Sequence, residues 1–249
     1  MIRKTFVILP GIGKKKEQEL WRNGTCDWQV FLKNSTIKGI SALRKREYDE
    51  LLRKWHNALI HEDMKVFATA WPVRESWRLY DHFKDECGFL DVEVDSWWRI
   101  VVVGISNYYE SKALVLGVNL DRSDLEKELI QYKLLVTFNG ASFDLPKLYE
   151  QFGLTLRVPH FDLKGVAKRV GLVGGLKEIE LKLDLKRPEH LYGNPVDLWK
   201  AYKASGDREY LELLLDYNRE DVENLKAICR YCVRVLMKEG EVRGSIRKI

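Results

Sequence analysis

The stretch YNREDVENL, residues 217–225, places an acid where an apolar residue is expected. On a helical wheel, Asp221 lies in the middle of an otherwise apolar arc. Burying an unpaired carboxylate costs several kcal/mol, so Asp221 must protonate, meet a cation, or contradict this helix register. The apolar arc consists of Leu214, Tyr217, Leu225, Ile228 and Cys232.

Two more acids lie on one face of a predicted strand. In GFLDVEV, residues 88–94, alternate side chains point to opposite faces, so Asp91 and Glu93 lie side by side. Leu90, Val92 and Val94 form the other, apolar face. A solvated face on an edge strand is the simpler explanation if this stretch is taken alone.

A fourth acid, Asp144, follows the buried strand KLLVTF and the turn beginning Asn139-Gly140. It lies close to the predicted N-cap of the next helix, and capping alone would explain it. The four acids are explained more simply together, because carboxylate oxygens are the ligands that hard divalent cations prefer. The sequence therefore predicts a Mg²⁺ or Mn²⁺ site.

The acidic motifs follow one another in a specific order. A D-x-E on a strand (Asp91, Glu93) is followed by an Asn-bearing strand-to-helix turn ending at Asp144, and then by Y-x-x-x-D (Tyr217, Asp221). This order resembles the DEDDy-type 3′–5′ exonucleases of the ribonuclease H-like superfamily, the DnaQ-like enzymes. The resemblance implies an α/β ribonuclease H-like fold.

Two longer stretches resemble the YprB-type ribonuclease H-like domains of bacteria and archaea. They are GGLKEIELKLDLKRP and LWKAYKASGDREYLELLLDYNREDVENL, and the resemblance covers residues 86–236. In these domains a similar L-K-x-x-E stretch precedes the final acidic helix. The stretch DVEVDSWW departs from the family pattern, because it lacks the small hydroxyl or glycine residues that often follow the first motif.

The resemblance implies removal of nucleotides one at a time from a 3′ end by a two-metal-ion mechanism. Two ions about 4 Å apart stabilise the attacking and the leaving oxygens at phosphorus. Asp91 would bridge both ions, while Glu93 and Asp221 would favour the ion on the nucleophile side. Asp144 would act through a water or on the second ion. Tyr217, with an ordinary pKa of about 10, orients the nucleophile rather than deprotonating water.

Four further residues are predicted to contact the substrate. Asn139 and Phe143 occupy positions that in this family often lie against the terminal nucleotide. Trp97 and Trp98 follow the first motif closely enough to stack on bases. Packing in the protein core is an equally good explanation for both tryptophans, and it is the better explanation for Phe143.

The N-terminal stretch LPGIGKKKEQELWRNG resembles a helix-hairpin-helix motif. In such a motif Gly11 and Gly13 would let backbone N–H groups approach a phosphate, and Lys14, Lys15 and Lys16 would add positive charge. Those lysines oppose the dipole of the following helix but suit an anion. The alternative is a helical hairpin that docks on the nuclease domain or on a partner.

Periodicity predicts how these residues are positioned. Three successive β-rich runs predict antiparallel strands, and later strands alternate with helices, so we expect a mixed sheet flanked by helices. Ser123 and Glu126 predict a capping box for one helix, and Gly153 predicts the end of another. The expected divisions are a helical region 1–65, a connector 66–85 and a ribonuclease H-like domain 86–249.

Composition narrows the class of protein. A hydrophobic content of 45% supports a full core, and the net charge of +5 gives nucleic acid a small preference as partner. No apolar run is long enough for a membrane span, and the N-terminus lacks a cleavage signal, so we expect a cytoplasmic protein. Few glutamines and 32% charged residues are typical of a thermophile. Assembly into a homo-oligomer is left open by the sequence.

The cysteines and histidines predict no separate chemistry. Cys229 and Cys232 form C-x-x-C within a helix, where they are expected to pack as small hydrophobic residues. The predicted function is a 3′–5′ exonuclease acting on single-stranded DNA. An exoribonuclease and a non-catalytic nucleic-acid-binding protein on the same fold are the alternatives.

Overall fold

A computed structural model describes residues 1–191 and 194–245, with only the backbone described for 239–245. A five-stranded mixed sheet has the order β3-β2-β1-β4-β5. β1, β2 and β3 are antiparallel, while β4 runs parallel to β1 and β5 runs parallel to β4. The strands are β1 (Cys87–Val94), β2 (Ile100–Ser106), β3 (Ser111–Val115), β4 (Leu134–Thr137) and β5 (His160–Asp162).

Helices flank this sheet and also form the N-terminal region. In the described residues none of them has both the length and the apolar composition needed to cross a membrane. The helices are α1 (Lys14–Arg22), α2 (Trp28–Lys33), α3 (Ala42–Ile60), α4 (Met64–Ala70), α5 (Trp77–Phe83), α6 (Arg122–Leu129), α7 (Asp144–Phe152), α8 (Leu163–Arg169), α9 (Leu176–Lys182), α10 (Pro195–Ser205) and α11 (Arg208–Ser245).

The two faces of the sheet are buried by different helices. On one face, Leu90 and Val92 of β1 pack with residues of α6 and α7, including Leu125 and Leu148. On the other face, Val102 of β2 belongs to a cluster with residues of α10 and α11. The predicted sheet flanked by helices is confirmed. β2 and β4 are buried at every position, as expected for strands whose two faces are both covered.

Two local features differ from the prediction. α6 begins after Asp121, whose carboxylate accepts a hydrogen bond from Asp124 N at 2.9 Å, so the predicted Ser123–Glu126 capping box is wrong. Aspartate is among the strongest N-caps, and here it lies two residues earlier than the serine. The sequence prediction also missed β5, which has only three residues and too little length for a periodic pattern. Gly153 ends α7 in the left-handed conformation, as predicted.

The chain divides into two compact units, one formed by Met1–His82 and the chain from Val233 onward, and the other by Phe83–Cys232. In the first unit, the buried carboxylate of Glu17 on α1 accepts hydrogen bonds from Phe6 N at 2.6 Å and from Arg78 Nη2 of α5 at 2.7 Å. This ion pair joins helices on both sides of the predicted boundary at residue 65. The predicted divisions 1–65, 66–85 and 86–249 remain a prediction.

Candidate functional site

Three carboxylates meet above the C-terminal half of β1. One oxygen from each of Asp91, Glu93 and Asp221 can be chosen so that all three lie within 4.8 Å of one another. The strand alternation places Asp91 and Glu93 on the same face, and α11 brings Asp221 to that face. The predicted grouping of these residues is therefore present in the fold.

A local irregularity in the sheet lies next to this group. The β1–β2 register pairs Glu93 with Val102 but Val94 with Ile100, so β2 has one extra residue at this point. Such a bulge increases the local twist and changes where neighbouring side chains point.

Asp221 is buried on α11, but it has a cation beside it. Its carboxylate accepts a hydrogen bond from Nη2 of Arg187, which follows α9. Arg187 is also paired with Glu180 of α9, through Nε to Oε2 and Nη2 to Oε1, both at 2.6 Å. The buried charge of Asp221 is thus compensated by an arginine in this structure, in addition to any metal that the acidic group binds.

Asn218 holds the carboxylate of Asp91. Its Nδ2 donates to Oδ2 of Asp91 at 3.0 Å, and Asn218 is completely buried one turn before Asp221. The side chain fits there because Gly104 stands opposite Asp91 on β2. A Cβ at position 104 would overlap with Oδ1 of Asn218. Gly104 therefore provides the space that lets Asn218 reach Asp91.

Asp144 begins α7 and is connected to β1. The parallel pairing of β1 with β4 stops at Phe89 and Val136, while β1 continues further. Val92 N, beyond the end of β4, donates to Oδ1 of Asp144 at 3.2 Å. This contact places Asp144 beside the strand that carries Asp91 and Glu93, consistent with its predicted position at the start of a helix.

The turn between β4 and α7 is held by Asp162 at the end of β5. Asp162 accepts hydrogen bonds from Asn139 N at 2.9 Å and from Ala141 N at 3.1 Å. Asn139 adopts a left-handed conformation, with φ of 67°, which asparagine tolerates better than most residues. Its side-chain oxygen accepts a hydrogen bond from Lys164 Nζ at 3.2 Å. This turn fixes Asn139 and Phe143 relative to Asp144.

Burial and mutual repulsion raise the pKa values of the acids. Burial, followed by the charges of Asp221 and Asp144, raises the pKa of Glu93 to about 8. Burial and the neighbouring carboxylates also raise the pKa of Asp91 well above its ordinary value. Burial raises the pKa of Asp221 to about 6, although Arg187 opposes this shift. Burial raises the pKa of Asp144 to about 7.

Tyr217 and Lys177 lie together near these acids. Nζ of Lys177, in α9, is 4.6 Å from the centre of the Tyr217 ring. Burial, and then the charges of Asp221 and Glu93, raises the pKa of the Tyr217 hydroxyl. Tyr217 is therefore neutral at physiological pH and can donate a hydrogen bond.

The four acids, Tyr217 and Lys177 line one open cleft with a volume of about 420 Å³. All of its lining residues belong to the Phe83–Cys232 unit. The cleft brings together most of the predicted site: Asp91, Glu93, Asn139, Phe143, Asp144, Tyr217 and Asp221. It also contains Lys177, whose charge opposes that of the acids. Trp97 and Trp98 are not part of its lining, although the ring of Trp98 lies 6.0 Å from that of Phe143.

The residues of the predicted helix-hairpin-helix lie in the other unit. Gly11 has a positive φ of 78°, Gly13 precedes the first residue of α1, and Lys14 and Lys15 are exposed in the first turn of that helix. These positions are compatible with the predicted turn. Binding of nucleic acid by this segment stays a prediction.

The donor set of the cleft fits a hard divalent cation. Asp91, Glu93 and Asp221 offer carboxylate oxygens close enough together to bind one ion. Burial first, and then repulsion from neighbouring carboxylates, raises the pKa values of Asp91 and Glu93. A bound cation would relieve that repulsion. Oxygen-only ligands suit Mg²⁺ or Mn²⁺ better than softer metals.

Residues 89–233 match the sequence family described as the RNase_H superfamily. This chain therefore belongs to the RNase_H superfamily, in agreement with the mixed sheet and its flanking helices. Comparison with curated protein sequences gives no match.

Among solved structures, one similar chain is RNase D from Escherichia coli, described as an exoribonuclease involved in structured RNA processing. The two chains share 15% sequence identity, with a TM-score of 0.36. The alignment covers 69% of this chain and 49% of RNase D, so the chain matches about half the length of that protein.

Sequence analysis did not identify four residues of the site: Lys177, Glu180, Arg187 and Asn218. A signal existed for Lys177 and Glu180, because both belong to the L-K-x-x-E stretch. Asn218 offered a weaker signal, as a polar residue next to Tyr217 on a helix with a buried face. Arg187 lies outside the regular helices and strands, and no periodic pattern indicated its burial.

Proposed function

We propose that this chain is a metal-dependent 3′–5′ exonuclease that hydrolyses phosphodiester bonds of nucleic acid, with single-stranded DNA favoured. The observation that carries the proposal is the convergence of Asp91, Glu93 and Asp221 in an open cleft that Asp144 also lines. Membership of the RNase_H superfamily supports a nuclease. The direction of digestion rests on the resemblance of the motif order to DEDDy-type exonucleases.

In this proposal Asp91, Glu93, Asp144 and Asp221 hold two Mg²⁺ or Mn²⁺ ions. When bound, such ions lower the pKa of a coordinated water and stabilise the charge that develops on phosphate oxygens. The protein supplies the fixed position of the ligands. Asn218 orients Asp91, Arg187 orients Asp221, and the Val92 N–H orients Asp144.

Tyr217 and Lys177 have complementary roles in the proposed reaction. Neutral Tyr217 donates a hydrogen bond that orients the attacking water, because a phenol with a raised pKa is a poor base at neutral pH. Lys177, the cation next to it, binds a non-bridging phosphate oxygen. Asn139 and Phe143, which also line the cleft, contact the terminal nucleotide.

The test is digestion of 5′-labelled single-stranded DNA and matched RNA with Mg²⁺, Mn²⁺ or EDTA. Wild-type protein is compared with Glu93→Gln, which keeps the side-chain shape, and with Glu126→Gln as a control on the exposed face of α6. We expect a metal-dependent ladder that shortens from the 3′ end and is absent in Glu93→Gln only. Metal-independent digestion, or equal digestion by both variants, contradicts the proposal. Whichever oligonucleotide is cleaved faster, the DNA or the RNA, identifies the preferred substrate.

A further inference from the structure

The turn between β1 and β2 displays two tryptophans to solvent. Trp97 is 74% exposed and Trp98 is 61% exposed, so neither packs in the core. Two adjacent exposed tryptophans form an apolar surface. Leaving apolar surface in water does not stabilise the folded state. Their exposure therefore calls for an explanation outside the stability of the chain.

The conformation of this turn is tightly specified by Asp95. Its buried carboxylate accepts hydrogen bonds from Trp97 N at 2.9 Å and Arg99 N at 3.0 Å through Oδ1. Oδ2 accepts from Arg99 Nε at 2.8 Å and is 2.7 Å from Arg99 Nη2. One side chain thus fixes two backbone N–H groups and one cation, which makes the turn rigid.

Trp98 occupies a strained backbone position in this turn. Its φ is 64°, in the left-handed region, where a bulky side chain is strained and glycine is the ordinary residue. Strain of this kind persists where the surrounding structure imposes it, and it is concentrated at functional sites. The strained backbone of Trp98, together with the exposure of its ring, motivates a search for a role of the indole.

The two rings connect the candidate cleft to a positive charge. The ring of Trp98 meets Phe143, a residue of the cleft lining, edge to face with centroids 6.0 Å apart. The guanidinium carbon of Arg99 lies 5.1 Å from the centre of the Trp97 ring. The aromatic surface therefore begins at the acidic cleft and ends beside a cation.

We propose that the Asp95–Arg99 turn is a stacking platform for unpaired bases of the strand whose phosphodiester enters the cleft. The proposal rests on the function proposed above. Every nucleobase has a flat face that stacks on an aromatic ring, so the platform binds single strands with little dependence on sequence. Bases paired within a duplex have both faces covered by their neighbours, so the platform selects substrates with an unpaired end.

Binding of a labelled single-stranded oligonucleotide in EDTA tests the platform independently of cleavage. The variants are Trp97→Ala, Trp98→Ala and the conservative Trp97→Phe, with Tyr109→Ala as control, because Tyr109 is an 81% exposed aromatic residue in the neighbouring β2–β3 turn. Each alanine variant should weaken binding by about 10-fold, since one base–aromatic stack has roughly that effect. Trp97→Phe should retain most of the affinity, and Tyr109→Ala should bind as the wild type does.

Trp98→Gly separates a binding role from a structural one. Glycine relieves the left-handed strain, so this variant should unfold at a temperature equal to or above that of the wild type while binding the oligonucleotide more weakly. A tryptophan that served only to stabilise the turn would give a lower unfolding temperature and unchanged binding. That outcome overturns the proposal.

Abasic oligonucleotides identify the partner of the rings. Removing the base that stacks should weaken binding to wild-type protein, and the same removal should cost nothing further in the Trp97→Ala/Trp98→Ala double variant. With cleavable substrate, the tryptophan variants should raise KM more than they lower kcat. If wild type cleaves but the variants bind and cleave equally well, the platform is wrong. If the variants lose binding but wild type cleaves nothing, the nuclease proposal fails instead.

Discussion

The carboxylate of Asp221 accepts a hydrogen bond from Arg187 while it faces the carboxylates of Asp91 and Glu93. One acid therefore belongs to two electrostatic groups, a buried ion-pair network on one side and the acidic cleft on the other. The network keeps the Asp221 side chain in place before any ligand binds. Arg187 therefore compensates one negative charge of the cleft without any bound metal.

Loss of the Arg187 cation should destabilise the protein strongly. Arg187→Met leaves the buried Glu180 without its partner, and breaking a buried ion pair in this way costs about 3–5 kcal/mol. Arg187→Lys should cost less, because the positive charge remains. Some stability should still be lost, because lysine cannot make the two-point contact with Glu180. Urea unfolding measures both. The control Arg219→Met removes a more exposed pair with Asp216 and should change stability by about 1 kcal/mol or less.

Removal of Glu180 together with Arg187 should restore part of the stability. In Arg187→Met/Glu180→Met neither of these two charges remains buried, but Asp221 still lacks its cation, so the unfolding free energy should recover only part of the loss seen in Arg187→Met. Asp221 then lacks its protein cation and should bind Mn²⁺ with altered affinity. A double variant as unstable as Arg187→Met would show that the loss does not come from the unpaired charge of Glu180.

The metal-free protein should lose stability as pH rises. Glu93, Asp144 and Asp221 have folded-state pKa values of about 8, 7 and 6, above their unfolded values near about 4. Between about pH 4 and about pH 8 the folded state binds more protons than the unfolded state. The stabilisation that these bound protons give the fold is therefore complete below about pH 4 and is lost as the pH rises toward about 8. Thermal unfolding in EDTA measured across this range should show the decline.

Mn²⁺ should reverse this pH effect. The cation binds deprotonated carboxylates, so it should raise the unfolding temperature more at pH 8 than at pH 5.

Glu93→Gln removes one repelling charge, and its metal-free form should be more stable than wild type at pH 8. A steeper decline in Glu93→Gln than in wild type would contradict the proposed repulsion.

Asn218 should contribute to metal binding without being a ligand. Asn218→Ala frees Asp91 from its hydrogen bond and should weaken Mn²⁺ binding by about 10- to 100-fold, the usual effect of removing a partner that orients a ligand. Calorimetric titration with Mn²⁺ measures this directly. Asn57→Ala on the exposed face of α3 is the control. Unchanged affinity in Asn218→Ala would limit the role of Asn218 to packing.

Lys177 should act on substrate rather than on the fold. Lys177→Gln removes the cation that we propose contacts phosphate, so kcat/KM for an oligonucleotide should fall by about 10- to 100-fold with little change in unfolding temperature. Lys177→Arg should retain part of the activity. Lys200→Gln, an exposed lysine of α10, should behave as wild type. Equal losses in both glutamine variants would point to general electrostatic attraction instead.

Much of the sheet and of the acidic group could be predicted because each part depends on local pattern. The alternation of β1 places Asp91 and Glu93 on one face, and the helical period of α11 places Asp221 on a buried arc. Their meeting was predicted from the preference of divalent cations for carboxylate ligands and from the resemblance of the motif order to DEDDy-type exonucleases. By contrast, the partner of Asp221 could not be predicted, because Arg187 lies in a segment without regular periodicity.

The remaining errors also have physical causes. β5 was missed because its three residues are held by pairing with β4, a contact distant in sequence. The start of α6 was misplaced because Asp121 and Ser123 are both good caps, and the sequence does not show which one meets a free N–H group. Asn218 requires an empty space above Gly104, which only the tertiary structure shows.

Gly104 and Asn218 restrict the order in which this site can change during evolution. Any side chain at position 104 overlaps with Asn218, so Gly104 can be replaced only after Asn218 has become smaller. A smaller residue at 218 first releases Asp91, so that route passes through a protein with a weakened site. Functional descendants of this chain should therefore either keep both Gly104 and Asn218 or replace both. This epistatic barrier arises because only glycine lacks the Cβ that would overlap with Asn218.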